Sequence, residues 1–353
     1  MRLLITIGLA LAAGAALLLA AIRLPAVEDA LFDRALAGTI GADRSALFDG
    51  DGVKIFFCGT GSPLPSATRA QTCTAIFAGD KFFLVDSGSG SWENIPAAGI
   101  PGGRLGGVFL THFHSDHIGD LSEANLASWV LGRPAKLSVY GPAGVERVVN
   151  GHNEAFAIDA LHRTAHHGEG VAPPATSGMT AVPYDGSVES VVYDADGLKV
   201  TAFPVKHDPV VPAVGYRFDY KGRSLVVSGD TAYSEELVRM SKGADVLIHE
   251  AQANHMVAKM RKAAVAAGSA NTAQILADIP SYHTTPEEAA RAANEAEVDW
   301  LVLTHLTPGP DNAIAERIFM RGVSKVRPGN IRVAKDRMLV VLPEGGGVRF
   351  GRL

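Results

Sequence analysis

Val108-Phe109-Leu110-Thr111-His112-Phe113-His114-Ser115-Asp116-His117 is the stretch on which the fold and the chemistry are decided. Gly107 to Leu110 read as a short strand, because β-branched, aromatic and aliphatic residues follow a glycine turn. A strand delivers the chain to one edge of a sheet. The loop after it then presents three imidazoles and one carboxylate between His112 and His117. Nitrogen and oxygen donors of this kind suit zinc-class metals. A solvated polar loop is the alternative, and the density of donors argues against it.

Four further runs repeat that placement. Leu225-Val226-Val227-Ser228-Gly229 leads to Asp230, and Val246-Leu247-Ile248 leads to His249 and Glu250. Trp300 to Thr304 leads to His305, and Leu198 to Val205, followed by Lys206, leads to His207. In open α/β sheets, ligands collect beyond the carboxyl ends of the strands. Polar groups far apart in the chain can therefore converge. Alone, His207 or His305 reads as a structural histidine; beside the 112–117 cluster, both read as ligands.

The intervening pattern supports a layered α/β body. Strands are predicted at Val53 to Phe57, Thr74 to Phe77, Phe82 to Val85, Val214 to Tyr220 and Ser224 to Val227. Helices are predicted at Ser122 to Leu131, Ala143 to Phe156, Glu235 to Met240 and Pro286 to Ala296. His162 to Thr180, rich in Gly, Pro, Ala and His, reads as a surface excursion that carries His162, His166 and His167 as solvated residues.

The 353-residue chain is 47% apolar and 20% charged, which suits a globular enzyme with a sizeable core. Its net charge of −5 argues against a protein that coats nucleic acid. From Leu3 to Ile22 nearly every residue is apolar, with Arg2 before the run and Arg23 after it. Twenty such residues span about 30 Å as a helix, the thickness of a bilayer core. The site before Ala20-Ala21 is poorly formed for cleavage, so residues 1–24 read as an uncleaved anchor ahead of a cleaved signal or a buried core helix. Residues 25–52 read as a spacer and residues 53–353 as the body. This implies an exported protein, membrane-tethered and facing the periplasm or extracellular side, or secreted if the segment is removed. Cys58 and Cys73 close the first two apolar runs of the body; an oxidising compartment would allow a disulfide between them, and two buried thiols are the alternative.

Thr111 to His117, the Gly229-Asp230-Thr231 run and Thr304-His305 resemble the metal motifs of the metallo-β-lactamase superfamily. Three added features make the resemblance sharpest towards its ribonuclease Z, arylsulfatase and cyclic-nucleotide phosphodiesterase branch. They are Gly59-Thr60-Gly61-Ser62, His249-Glu250-Ala251 and His283-Thr284-Thr285-Pro286-Glu287-Glu288-Ala289. The resemblance covers residues 53 to 345 and implies an α/β fold of four layers, an αββα sandwich, preceded here by the N-terminal apolar helix. It implies that His112, His114 and His207 hold one metal, that Asp116, His117 and His305 hold the other, and that Asp230 bridges them. Two divalent ions, zinc first with iron or manganese as alternatives, would share a hydroxide available near neutral pH. Asp116 would also orient it.

His283 has its own logic. Thr285, Pro286 and Glu288 read as N-cap, N1 and N3 of a helix, a capping box with proline at the first helical position. The positive end of a helix dipole disfavours an imidazolium just before it. The resemblance implies that Glu250 counters this, with His283 assisting the leaving oxygen. His249 reads as a core residue or one that supports the ligands from behind, with direct metal binding the lesser alternative.

The expected substrate is a small phosphodiester or sulfate ester. Short ribonuclease Z enzymes carry a basic Gly/Pro-rich arm between the positions of His207 and Asp230, whereas 22 residues separate them here. With the negative net charge, this leads to the expectation of a small-molecule ester partner, membrane contact through the N-terminus, and no extended nucleic-acid binding. A homodimer is left open. The alternatives are an exported lactonase or β-lactamase, a ribonuclease Z-like endonuclease and, last, a non-catalytic metal-stabilised binding protein.

Overall fold

The layering follows from the first strand, β1 (Val53–Gly59). Its side chains alternate with the two-residue period of a strand. Ile55 and Phe57 enter one buried cluster, and Phe56 and Cys58 enter another. A strand buried on both faces belongs to a sheet covered on both sides. The computed structural model, which describes residues 2–39, 41–50 and 52–353, shows that arrangement. Met1, in the predicted anchor, and Ile40 and Asp51, in the predicted spacer, lie outside the described residues.

The chain continues through β2 (Cys73–Ala78), β3 (Lys81–Val85), β4 (Gly107–Phe109), β5 (Leu137–Pro142) and β6 (Met179–Tyr184). Next come β7 (Ser190–Ala195), β8 (Leu198–Pro204), β9 (Val214–Tyr220), β10 (Arg223–Val227) and β11 (Val246–Gln252). The last four are β12 (Trp300–Thr307), β13 (Ile331–Val333), β14 (Met338–Leu342) and β15 (Arg349–Arg352). One sheet has the order β15-β14-β1-β2-β3-β4-β5-β6, and the other β13-β12-β11-β10-β9-β8-β7.

The inner cluster joins the two sheets, with Ile55, Phe83 and Phe109 from one meeting Val200, Phe218 and Ile248 from the other. Helices Leu121–Val130 and Val145–Ala155 cover one outer face, and Glu235–Met240 and Pro286–Glu295 cover the opposite one. The four-layer αββα sandwich is thus present. Phe109, directly before the histidine motif, is held by Tyr140, Tyr216 and Phe218 at ring distances of 4.6, 5.4 and 5.6 Å. Each such pair adds about 0.5–1.5 kcal/mol beyond area burial, so the motif leaves from a rigid point. Cys58 and Cys73 form a disulfide between β1 and β2; in the chain-entropy view a loop of this size contributes on the order of 3 kcal/mol.

The expected N-terminal apolar helix is present, while the spacer and the excursion differ from the expectation. Residues Arg2–Ala21 form a helix whose span Leu4–Ala21 has mean hydropathy 2.4 and no buried residue, which removes the core-helix alternative. The spacer holds a helix, Pro25–Thr39. It then joins the body before residue 53: Leu47 and Phe48 are buried, and the Arg104 guanidinium stacks 3.6 Å from the Phe48 ring centre. The predicted excursion is largely structured. Helix Ala157–His167 takes its first residues, and Met179 and Thr180 already belong to β6.

Candidate metal centre

The strands that carry the polar residues all end along one edge. β3 to β6 are successively parallel, as are β10 to β13. β8 and β10 both pair antiparallel with β9, so β8 points the same way as β10. The carboxyl ends of β4, β8, β10, β11 and β12 therefore bring His112 to His117, His207, Asp230, Glu250 and His305 together.

His114 Nδ1 lies 2.9 Å from His112 Nε2 and 3.5 Å from His207 Nε2. Opposite this group, His305 Nε2 and His117 Nε2 lie 3.1 and 3.6 Å from Asp116 Oδ2. Asp230 Oδ2 stands between the two groups. It is 3.3 Å from both His117 and His305, 3.9 Å from His112 and 4.0 Å from His207, measured to Nε2. Within each of the triplets His112/His114/His207 and Asp116/His117/His305, one donor atom per residue falls within 4.8 Å of the others. All seven predicted ligands are in one place.

Two backbone features aim these side chains. Gly229 has φ +61°, and a Cβ there would meet the Val214 carbonyl oxygen at 2.6 Å, so the turn that presents Asp230 requires glycine. His305 lies inside β12 rather than after it. Glu250 pairs with Thr304 and Ala251 with Leu306, so His305 is the extra residue of a bulge, at φ +44°. Bulges re-aim a side chain, and a left-handed non-glycine residue marks strain held by its surroundings.

The donor set fits divalent cations. Asp116, Asp230 and Glu250 are buried, and burying a carboxylate is costly unless it is paired. Among the described residues, their ion-pair partners are histidines. His117 Nε2 and Asp230 Oδ1 are buried and make no hydrogen bond. Burial holds His112, His114 and His207 below the ordinary histidine range, as neutral metal-binding imidazoles require. Burial opposes charge at His117 and His305 as well, but Asp230, with Asp86 and Asp116 respectively, raises both. Burial would raise Asp230, yet His305 and His117 hold it well below the carboxylate range. The negative charge that holds these protons is the charge two metal ions would meet.

Asp86 is a site residue the motif reading does not reach. Its Oδ2 is 2.8 Å from His117 Nδ1, and its Oδ1 accepts from the Thr111 backbone at 2.8 Å. A carboxylate on one ring nitrogen fixes the tautomer and leaves the other for a metal. Phe82-Phe83-Leu84-Val85 leading to Asp86 is the same strand-then-carboxylate signal as at Asp230. The Tyr282 carbonyl oxygen does the same for His207 Nδ1 at 3.2 Å; no sequence pattern marks that contact.

His283 lies over the centre, its ring 5.3 Å from that of His207 and 5.8 Å from that of His305. Its Nδ1 is 2.9 Å from Glu250 Oε1, which also accepts from the backbone of Thr231 and Thr284 at 3.2 and 3.1 Å. Thr285 and Glu288 form the predicted capping box, with Pro286 at the first helical position. Burial disfavours a charged His283, but Glu250 overcomes it and takes the imidazole up to about 9. His249 points the other way along β11 and joins none of the metal-binding groups among the described residues. His152 bonds Ser122, and His162, His166 and His167 are exposed. A cavity of about 600 Å³ lined by Leu126, Phe156 and Leu161 contains none of the candidate ligands.

The family model described as Beta-lactamase superfamily domain matches residues 83–306. Ribonuclease Z of Mycobacterium bovis is 36% identical over 261 residues, which is 72% of this chain and 86% of that protein. The chain belongs to the metallo-β-lactamase superfamily. Ribonuclease Z of Mycobacterium avium, 36% identical over 259 residues with the same coverage, places it beside the same branch. Two solved structures share this superfamily fold. The metallo-beta-lactamase fold protein YhfI from Bacillus subtilis has TM-score 0.59 and 20% identity, over 85% of this chain and 100% of that one. The short form of human tRNase Z has TM-score 0.57 and 22% identity, over 82% and 99%.

These relatives correct one expectation. A small-molecule ester substrate with no extended nucleic-acid binding does not stand when superfamily relatives that span most of the chain are named as ribonucleases. The physical error lies in the quantity used. Net charge averages over the whole surface, whereas phosphate binding depends on a few local cations.

Proposed function

We propose that the chain is a two-metal phosphodiesterase that cleaves RNA. The carrying observation is Asp230 Oδ2 standing between two three-residue donor groups, with His283 above them. The ribonuclease Z relatives support RNA as the substrate class. Metal ligation falls to His112, His114 and His207 on one side and to Asp116, His117 and His305 on the other, with Asp230 shared. Zinc suits the set, and iron or manganese suits it too. When bound, the cations supply hydroxide near neutral pH and stabilise charge on the phosphoryl group.

The protein's own groups do the rest. Asp116 Oδ2 lies 3.1 Å from His305 Nε2, at the edge of the shared donor group, and its carboxylate orients the attacking water and takes its proton. The water oxygen bonds to phosphorus as the bond to the leaving oxygen breaks. Glu250 holds the Nδ1 proton of His283, so Nε2 is the nitrogen that faces the leaving oxygen and gives it a proton. Ribose oxygens are poor leaving groups, and a positioned acid is what they need.

A substrate panel with metal-quantified full chain tests this reading: a structured RNA, bis-p-nitrophenyl phosphate, an aryl sulfate, a lactone and nitrocefin, with His114→Ala as control. RNA and the phosphodiester are expected to be cut, and the control to lose both. Turnover of the lactone or nitrocefin with RNA left intact would instead favour the lactonase or lactamase alternative.

We also propose that helix Arg2–Ala21 anchors the body to a membrane from the exported side, supported by its length and the lack of burial in Leu4–Ala21. The intact chain is expected in the alkali-resistant membrane fraction; full-length soluble chain would contradict this.

A further inference from the structure

Helix Asn254–Ala266 carries Lys259, Arg261 and Lys262 and no acidic residue. No aspartate or glutamate occurs between Glu250 and Asp278, in a chain that has 37 of them. All three cations are exposed, and among the described residues none has a carboxylate within ion-pair distance. The opposite side of the helix is committed: Val257 is buried, with Met260 against it, beside Leu276, Ile279 and Tyr282. Lys259 and Lys262, three residues apart, share one face, and Arg261 borders it.

The helix is fastened to the site. The Gln252 backbone donates to the Thr284 carbonyl oxygen, beside His283, and the Ala253 backbone to that of Thr307, two residues after His305, both at 2.8 Å. At 1.5 Å per residue the cations begin about 8 Å along the axis from its first residue. Between His207 and Asp230, where an RNA-holding arm would sit, the chain has only a short loop and the hairpin of β9 and β10. RNA at this centre needs another cationic surface.

We propose that the exposed face of Asn254–Ala266 holds the phosphate backbone of the RNA next to the scissile bond, through Lys259, Arg261 and Lys262. This rests on the reading of the chain as an RNA phosphodiesterase. Phosphate contacts position a nucleic acid without reading its sequence, and each releases counterions.

The test compares the full chain with its K259A/R261A/K262A variant on a structured RNA and on bis-p-nitrophenyl phosphate, across a salt series. The expected result is an RNA KM raised about tenfold at low salt and a log–log salt slope smaller by about 2, at ~0.7 per phosphate contact on single strands. The small substrate should be unaffected. An unchanged RNA KM and slope overturns the helix proposal alone. Wild-type chain that turns over the small phosphodiester but does not engage RNA overturns the RNA reading with it. A variant that keeps RNA but loses binding to anionic lipid vesicles assigns the cations to a membrane and overturns the proposal. A loss shared by both substrates, and not restored in K259R/R261K/K262R, marks a folding role and overturns it too.

Discussion

Replacement of Asp230 by alanine is expected to cut turnover at least ~10³-fold, about 4 kcal/mol of barrier, and to leave one metal ion or none per chain. Among the described residues, Asp230 Oδ2 is the one carboxylate oxygen within 4.0 Å of His112, His117, His207 and His305. Without it the two donor groups would lose the one carboxylate they share, and cations held in both would be less well compensated. The carboxylate is also buried, 3% exposed, so bulk solvent has little access to stand in for it. Asp230→Asn keeps the shape and removes the charge, and should fall between wild type and alanine in metal affinity. Stoichiometric metal and wild-type turnover in Asp230→Ala would mean that the two groups do not work as one site.

The second large effect belongs to His283. His283→Ala is expected to slow RNA cleavage about 10²–10⁴-fold, the usual range for loss of a positioned acid, with metal content intact. On bis-p-nitrophenyl phosphate the loss should be much smaller, because p-nitrophenoxide leaves without a proton. Glu250→Gln should show the same dependence on leaving group, since the neutral amide no longer holds His283 charged. Equal losses on both substrates would point to a structural role at the capped helix, where Thr285 and Glu288 close the first turn.

The sequence is most legible where a single strand settles the matter. Val108-Phe109-Leu110 running into the histidine motif, and Val226-Val227 running into Asp230, need only strand direction to predict a shared edge. Contacts set by the fold as a whole are harder to read. The Tyr282 carbonyl that orients His207 is a backbone group with no side-chain signature. The bulge at His305 depends on pairing between β11 and β12. Asp86 was legible by the rule that found Asp230, yet it lies outside the motifs that carry the family resemblance. Leu137–Pro142 and Met179–Tyr184 end in proline-containing pairs that suggest turns, but both are strands of the first sheet. Phe48 falls in an alanine- and aspartate-rich stretch whose composition hides one buried ring. Lys259, Arg261 and Lys262 are diluted in a net charge of −5, and only their place on one exposed helix shows them as a surface.

Metal analysis of the full chain after gentle purification tests the central claim most directly. Close to two divalent ions per chain are expected, falling together with phosphodiesterase activity on chelation and returning together on metal addition. Fewer than one ion per chain in a preparation that still cleaves phosphodiesters would contradict it.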